Sequence, residues 1–189
     1  MQAAGGSEVW LVRHGETRWS REHRHTSVTD LELTAEGLAA ARALEPRLRG
    51  TAFDLVLTSP LRRARDTART AGFADAVVDE RLHEWRYGDV EGVSTAAMRQ
   101  RVAGWTVWTH EVPGGEQLDD VARRADGVVE RLRDAGRSLV FAHGHLLRVL
   151  AVRWLGLDAR AGAHLRLDTG TVSVLGWERE TPAVVRWNA

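Results

Sequence analysis

Four short segments of this 189-residue chain carry side chains that could act together on one reacting group. Arg13-His14-Gly15-Glu16-Thr17 follows one apolar run and Ser59-Pro60-Leu61-Arg62-Arg63-Ala64 follows a second. Leu82-His83-Glu84-Trp85 follows a third, and His143-Gly144-His145 a fourth. Together they supply imidazoles, guanidiniums and a carboxyl group, a set that suits phosphoryl transfer. A phosphate ester repels anionic nucleophiles, so its non-bridging oxygens must first be neutralised. Arg does this with a planar fork of donors that stays charged. A neutral imidazole nitrogen can then approach phosphorus. The transition state is largely dissociative, so charge on the transferring group and the leaving oxygen dominates the barrier. A carboxylic acid near the leaving oxygen can protonate it.

The composition removes competing chemistries. Cys is absent, which excludes disulfides, thiolate metal sites and cysteine nucleophiles. All 26 basic residues are Arg, so neither a Schiff-base lysine nor a P-loop lysine exists. Ile is missing too and Asn occurs once, at Asn188, a pattern of codon bias rather than function. With 26 acids against 26 bases the net charge is zero, which argues against nucleic acid and anionic membranes as partners. Any bound anion must be held by a local cluster. No apolar run reaches the roughly 18–20 residues of a membrane span. Residues 1–7 lack the order of a signal peptide, so the expectation is a loose tail on a cytoplasmic protein.

The elements that must position these groups alternate. Strands are predicted at Glu8–Val12, Asp54–Thr58, Ala76–Asp79 and Ser138–Ala142, with two more at Thr171–Trp177 and Ala183–Trp187. Thr34 caps a helix running to about Arg49, and Ser59-Pro60 reads as the cap and first turn of another reaching Ala71. Helical periodicity covers Glu116–Asp134, and a further helix is predicted near Leu146–Leu155. A loop-rich insertion spans about 81–115, with one helix after Ser94. Crossover helices between strands imply an α/β fold: a three-layer sandwich with a mostly parallel sheet flanked by helices, one domain over 8–189. Ligands of such sheets bind beyond the carboxyl ends of the strands, where the four segments lie.

Leu-Val-Arg13-His14-Gly15-Glu16-Thr17 after an apolar strand, Ser59-Pro60-x-x-Arg63-Ala64 and Val140-Phe141-Ala142-His143-Gly144-His145, in that order, resemble the histidine phosphatase superfamily, which is phosphoglycerate mutase-like in fold. The resemblance runs from Val9 to about Gly156. It implies that His14 becomes a phosphohistidine and that Arg13, Arg63 and His143 grip the phosphoryl group. It implies that Glu84 donates the proton and later activates water, with no metal and no other cofactor. Phosphate contacts are expected from Ser20, Thr26 and Gly144 as well. Ser20 stands where mutases have Asn, and Ser27 where Gly is commoner. Glu84 to Gly92, Trp105-Thr106-Val107-Trp108 and Gly144-His145 look like bacterial broad-specificity acid phosphatases and fungal sedoheptulose-1,7-bisphosphatase. The chain is also shorter than typical mutases. The expectation is therefore a phosphomonoesterase for small phosphorylated metabolites, sugar phosphates or bisphosphates among them.

Alternatives stay open at this point. Glu16 and Glu91 rival Glu84 as the acid, and Arg62 and Arg65 compete with Arg63. The pairs His23/His25 and His143/His145 could ligate a metal, although the arginines beside them oppose a cation. A phosphoglycerate mutase or a non-catalytic phospho-ligand binder would use the same pocket. Trp85, Trp105 and Trp108 could wall the cleft or fill the core. Arg21, Arg24, His25 and Arg86 could grip a second phosphate. A homodimer is left open.

Overall fold

The structure is a computed structural model that describes residues 6–189. Six strands form one sheet in the order β3-β2-β4-β1-β5-β6. They are β1 Glu8–Arg13, β2 Leu55–Thr58, β3 Val77–Val78, β4 Arg137–Ala142, β5 Val172–Glu178 and β6 Thr181–Arg186. The β1–β4, β2–β4 and β2–β3 pairs are parallel, whereas β5 runs antiparallel to both β1 and β6. The helices are α1 Arg18–Arg21, α2 Ala35–Leu48, α3 Arg62–Thr70, α4 Thr95–Arg101, α5 Leu118–Asp134 and α6 Gly144–Trp154.

Alternation along the strands builds the two cores. Leu11 and Val140 face one side with α5, α6 and the buried Trp85, Trp105 and Trp154. Val12, Leu139 and Phe141 face the other with Leu44 and Leu48 of α2 and Ala68 of α3. Each face of the sheet is thereby covered, as expected for parallel strands. Of the three tryptophans in question, Trp85 and Trp105 are core; Trp108 is buried but also reaches a cavity wall.

Among the differences from the sequence reading, three have a clear cause. Ser59 does not cap α3: the helix starts at Arg62 with Leu61 at the cap position. The Ser59 hydroxyl is instead 2.7 Å from His143 Nε2. The last helix begins at Gly144, two residues earlier than predicted, because the Glu84 carboxyl accepts from N–H groups of its first turn. Ser7, read as part of a loose tail, is buried, and its hydroxyl accepts a hydrogen bond from Trp177 Nε1. Residues 1–5 of that tail lie outside the described residues. The insertion over 81–115 contains two single-turn helices and α4, which Ser94 caps through Ala97 N–H. Among the described residues no helix is long and apolar enough to cross a membrane.

Candidate active site

Sheet register assembles the centre. Arg13 pairs with Ala142 across β1 and β4, and Thr58 pairs with Phe141 across β2 and β4. The next residue of each strand, His14, His143 and Ser59, therefore emerges at one sheet end. His14 N–H donates to Ala142 O at 3.0 Å, and Ser59 N–H donates to Phe141 O at 2.9 Å. The His14 and His143 rings lie with centroids 5.1 Å apart. Gly15 lets this strand end pass against α2: a Cβ there would stand 2.4 Å from Gly37 O.

His14 is buried, with Nδ1 2.7 Å from Gly15 O. A carbonyl only accepts, so Nδ1 carries the proton and Nε2 keeps its lone pair. Burial first, then the charges of Arg63 and Arg13, pushes the His14 pKa well below the ordinary histidine range. The ring is thus neutral, with its tautomer fixed by the backbone and a lone pair left on Nε2.

Arg63 is fully buried, unlike Arg62 and Arg65, which point to solvent. Its Nη1 donates to Thr29 O, and its Nη2 to Thr26 O and Ser27 O, at 3.1–3.2 Å. The loop carrying those carbonyls is held by Glu91. Its carboxylate accepts from Ser27 N, Ser27 Oγ and Thr29 N at 2.5–3.1 Å. Glu91 is therefore spent on positioning. Glu16 is also engaged: Arg21 and the Thr34 hydroxyl hold it, and Arg21 foremost keeps its carboxyl below the usual range. Both rivals of Glu84 have other occupations.

Glu84 is buried beside the first turn of α6. Oε1 accepts from Trp85 N and Leu146 N at 2.9 Å, and Oε2 from His145 N at 3.0 Å. Two acceptor positions exist on each carboxylate oxygen, so Oε1 is full and Oε2 retains one. A proton on Glu84 belongs on Oε2. The early start of α6 thus converts two orphan N–H groups into the mount of this carboxyl.

Four buried polar side-chain atoms lack a partner among the described residues, and three of them belong to this centre: Arg13 Nε, Arg63 Nε and His143 Nδ1. Arg13 is steadied by donating from Nη1 to Leu167 O, and a Cβ on Gly144 would stand 3.2 Å from its Cζ. Burial lowers both guanidinium pKa values and pushes His143 well below its ordinary value. Buried polar atoms are rarely left unpaired, so three such atoms on the side chains of one centre call for a partner from outside the protein.

A cleft of about 190 Å³ opens onto Arg13, His14, Glu84 and Gly144, with Ser20 and Thr26 on its rim. Arg63 and His143 do not line it; they lie beneath, with no exposed surface. The Ser20 hydroxyl donates to Thr17 O and accepts from Thr17 N, so it closes the turn of α1. The Thr26 hydroxyl donates to Arg24 O. Neither hydroxyl has a proton free for phosphate in this arrangement. Among the described residues no three His, Asp or Glu side chains group as metal ligands; His143 Nε2 faces Ser59 and His145 Nδ1 faces Tyr87.

Sequence reasoning gave no role to several cleft residues, Tyr87 and Arg148 among them. Tyr87 is buried, its hydroxyl 2.6 Å from His145 Nδ1, and burial raises its pKa well above the phenol range. Arg148, on α6, brings a further guanidinium to the cleft. Its spacing from Gly144, one helical turn, was the available signal.

The family model of the histidine phosphatase superfamily (branch 1) matches residues 9–189. The chain belongs to that superfamily. An acid phosphatase of Mycobacterium tuberculosis is 38% identical over 173 residues, covering 89% of this chain and 85% of that protein. A sedoheptulose 1,7-bisphosphatase of Saccharomyces cerevisiae is 31% identical over 184 residues, covering 79% of this chain and 68% of that protein. The solved structure of open reading frame Rv3214 of M. tuberculosis superposes with a TM-score of 0.92 at 34% identity, over 96% of this chain and 97% of that one. As a histidine phosphatase, the chain has the six-stranded α/β fold of its structural neighbours.

Proposed function

We propose that this histidine phosphatase is a metal-independent phosphomonoesterase that hydrolyses small phosphorylated metabolites by two in-line displacements through phospho-His14. The observation that carries the reading is the neutral His14 ring with Nε2 unprotonated, set among unpaired donors of Arg13 and Arg63. In the first step the Nε2 lone pair attacks phosphorus and the ester P–O bond breaks. The leaving alkoxide takes the proton from Glu84 Oε2. In the second, the Glu84 carboxylate removes a proton from water as that water attacks phosphorus. The N–P bond breaks, returning neutral His14 and releasing phosphate. The guanidiniums stabilise charge on the three equatorial oxygens in both steps.

A mutase would have to keep its phosphate donor from water between half-reactions. The similarity to proteins named as an acid phosphatase and a bisphosphatase favours hydrolysis. The test is phosphate release from p-nitrophenyl phosphate with and without excess chelator, together with an alkali quench of enzyme turning over labelled ester. Expected are chelator-insensitive hydrolysis and an acid-labile label on His14. Hydrolysis without that label, or activity lost to chelator and restored by a divalent ion, overturns the mechanism.

A further inference from the structure

Arg13 owes its pose to one peptide unit. Its Nη1 donates to Leu167 O, and among the described residues that carbonyl is the one protein acceptor of its guanidinium. Leu167 lies in the irregular segment 165–171 before β5, and it reaches the cleft wall. Two backbone bonds tie that segment to the end of β1. Gly170 N–H donates to Arg13 O at 3.0 Å, and Arg13 N–H donates to Thr171 O at 3.4 Å. Both lie past the Leu167–Asp168 peptide, so neither sets the direction of its carbonyl.

Asn188 sets it. Its Oδ1 accepts from Asp168 N–H at 2.7 Å, and its Nδ2 donates to Asp168 Oδ2 at 2.9 Å. The reverse amide orientation would set donor against donor and oxygen against carboxylate, so the pairing runs one way only. Every peptide bond among the described residues is trans. The Asp168 N–H and the Leu167 C=O therefore share one rigid plane and point in opposite directions. A group that holds the N–H on one side aims the carbonyl at Arg13 on the other. Asn188 is itself anchored to β5. Its N–H donates to Ser173 Oγ at 3.0 Å, and Ala189 exchanges both backbone bonds with Val172 at 2.9 and 3.1 Å. Its φ of 55° is left-handed, a region that Asn enters more readily than most residues. Asn188 is the one asparagine of the chain, and it does not line the cleft.

We propose that Asn188 is a positioning residue for phosphate binding, acting on Arg13 through the Leu167–Asp168 peptide. The inference rests on the reading that Arg13 grips the phosphoryl group, and it adds the residue outside the cleft that aims that grip. The hydrogen bonds run head to tail, from Arg13 Nη1 to Leu167 O and from Asp168 N–H to Asn188 Oδ1, so each polarises the next. The fork is thereby oriented before an anion arrives, and binding does not have to order it. The residue type follows from the three demands on it. Gly would supply the left-handed backbone without the amide. Asp would supply the acceptor but set a second carboxylate against that of Asp168. Only the amide offers an acceptor to the N–H and a donor to the carboxylate.

The experiment measures vanadate affinity by calorimetry, and kcat/KM for p-nitrophenyl phosphate, in the wild type and four variants. These are Asn188→Gly, Arg13→Gln, the two combined, and the exchange of Asn188→Asp with Asp168→Asn. Asn188→Gly keeps the left-handed backbone and removes only the amide, so vanadate affinity and kcat/KM should each fall about tenfold, the effect of one hydrogen bond. In the Arg13→Gln background the same substitution should change either quantity by less than about twofold, because the group it acts through is gone. The exchange keeps an acceptor on the Asp168 N–H and reverses donor and acceptor between the two side chains, so it should recover most of the affinity. A loss on Asn188→Gly that is equal with and without Arg13 gives Asn188 a structural role alone and overturns the proposal. So does an affinity that Asn188→Gly leaves unchanged, or one that the exchange fails to recover. An Arg13→Gln variant that binds vanadate as tightly as the wild type overturns the reading of Arg13 as a phosphate clamp, and this proposal with it. A wild type that hydrolyses no ester overturns the phosphomonoesterase reading alone, because the vanadate comparison still decides the role of Asn188.

Discussion

Replacing Glu84 by Gln separates proton transfer from every other property of the site. The amide oxygen can occupy the Oε1 position and keep the N–H donors of Trp85 and Leu146. The amide nitrogen then faces His145 N–H, where Oε2 accepted at 3.0 Å, and two donors meet. One buried N–H left unsatisfied costs about 1–3 kcal/mol, so the variant should fold but unfold at lower urea. The catalytic effect is distinguishable because it depends on the leaving group. p-Nitrophenolate departs without a proton, whereas a sugar alkoxide does not. Loss of a general acid is worth about 10²–10⁴ for a poor leaving group and about tenfold or less for an acidic phenol. kcat/KM is the parameter to measure, since it reports the steps through phosphorylation of His14 and not the later attack of water. Arg13 and Arg63 are untouched, so vanadate affinity should change little. An equal loss of kcat/KM with p-nitrophenyl phosphate and with a sugar phosphate would refute the assignment, placing Glu84 as a mount for α6.

Three more outcomes are expected from the geometry. His14→Ala should abolish turnover and phosphoenzyme labelling with every ester, measured by phosphate release, since it removes the imidazole that takes the phosphoryl group. Acid should unfold the protein early: His14, His143 and His145 are held neutral, mainly by burial, whereas in the unfolded chain they titrate near 6.5. Their contribution is complete above about pH 7 and is lost as pH falls through 6.5 toward the lower folded values. At one unit below 6.5 each costs on the order of 1 kcal/mol, so a urea midpoint equal at pH 7.5 and 5.5 would contradict the burial. Gly15→Ala should destabilise by about 1–3 kcal/mol in urea unfolding, because the added Cβ meets the Gly37 carbonyl at 2.4 Å.

The positions of His14 and His143 were legible because strand ends in a parallel sheet are fixed by pattern and register. Val9–Val12 and Leu139–Ala142 are apolar runs that can only be central strands, and the residues at their carboxyl ends must emerge together. Arg63 was separable from Arg62 and Arg65 only through the family's spacing, since a short helix with four arginines reads as solvated all round. Burial of the guanidinium against three loop carbonyls requires knowing that the loop at 26–29 folds back, and Glu91 enforces that fold from more than sixty residues away. Ser59 before Pro60 carries the local signature of a helix cap, yet a tertiary contact with His143 outweighs it. Arg148 was hidden for the opposite reason. Helix α6 is apolar on nearly all sides, and although Arg148 lies one turn past Gly144, nothing local separates it from Arg153, which turns away to pair with Asp126.

The centre combines requirements that oppose each other, and the fold reconciles them by depth. A nucleophilic imidazole must be neutral, which positive neighbours and burial both promote. The same burial makes unpaired guanidinium N–H groups costly, about 1–3 kcal/mol for each orphan donor. Arg63 is relieved in part by three backbone carbonyls, and Arg13 by one, but their Nε atoms are not. Backbone carbonyls supply dipoles without net charge, so they steady the forks and leave the site cationic. A carboxylate in their place would steady them as well, and would also quench the field that draws in a phosphate dianion and supports the equatorial oxygens during transfer. Among the described residues Glu84 is the one buried carboxyl of the cleft, and it is kept off the arginines by being hydrogen-bonded to the start of α6. The acid and the cations can thus share a cleft of about 190 Å³ without forming the ion pair that would disable both.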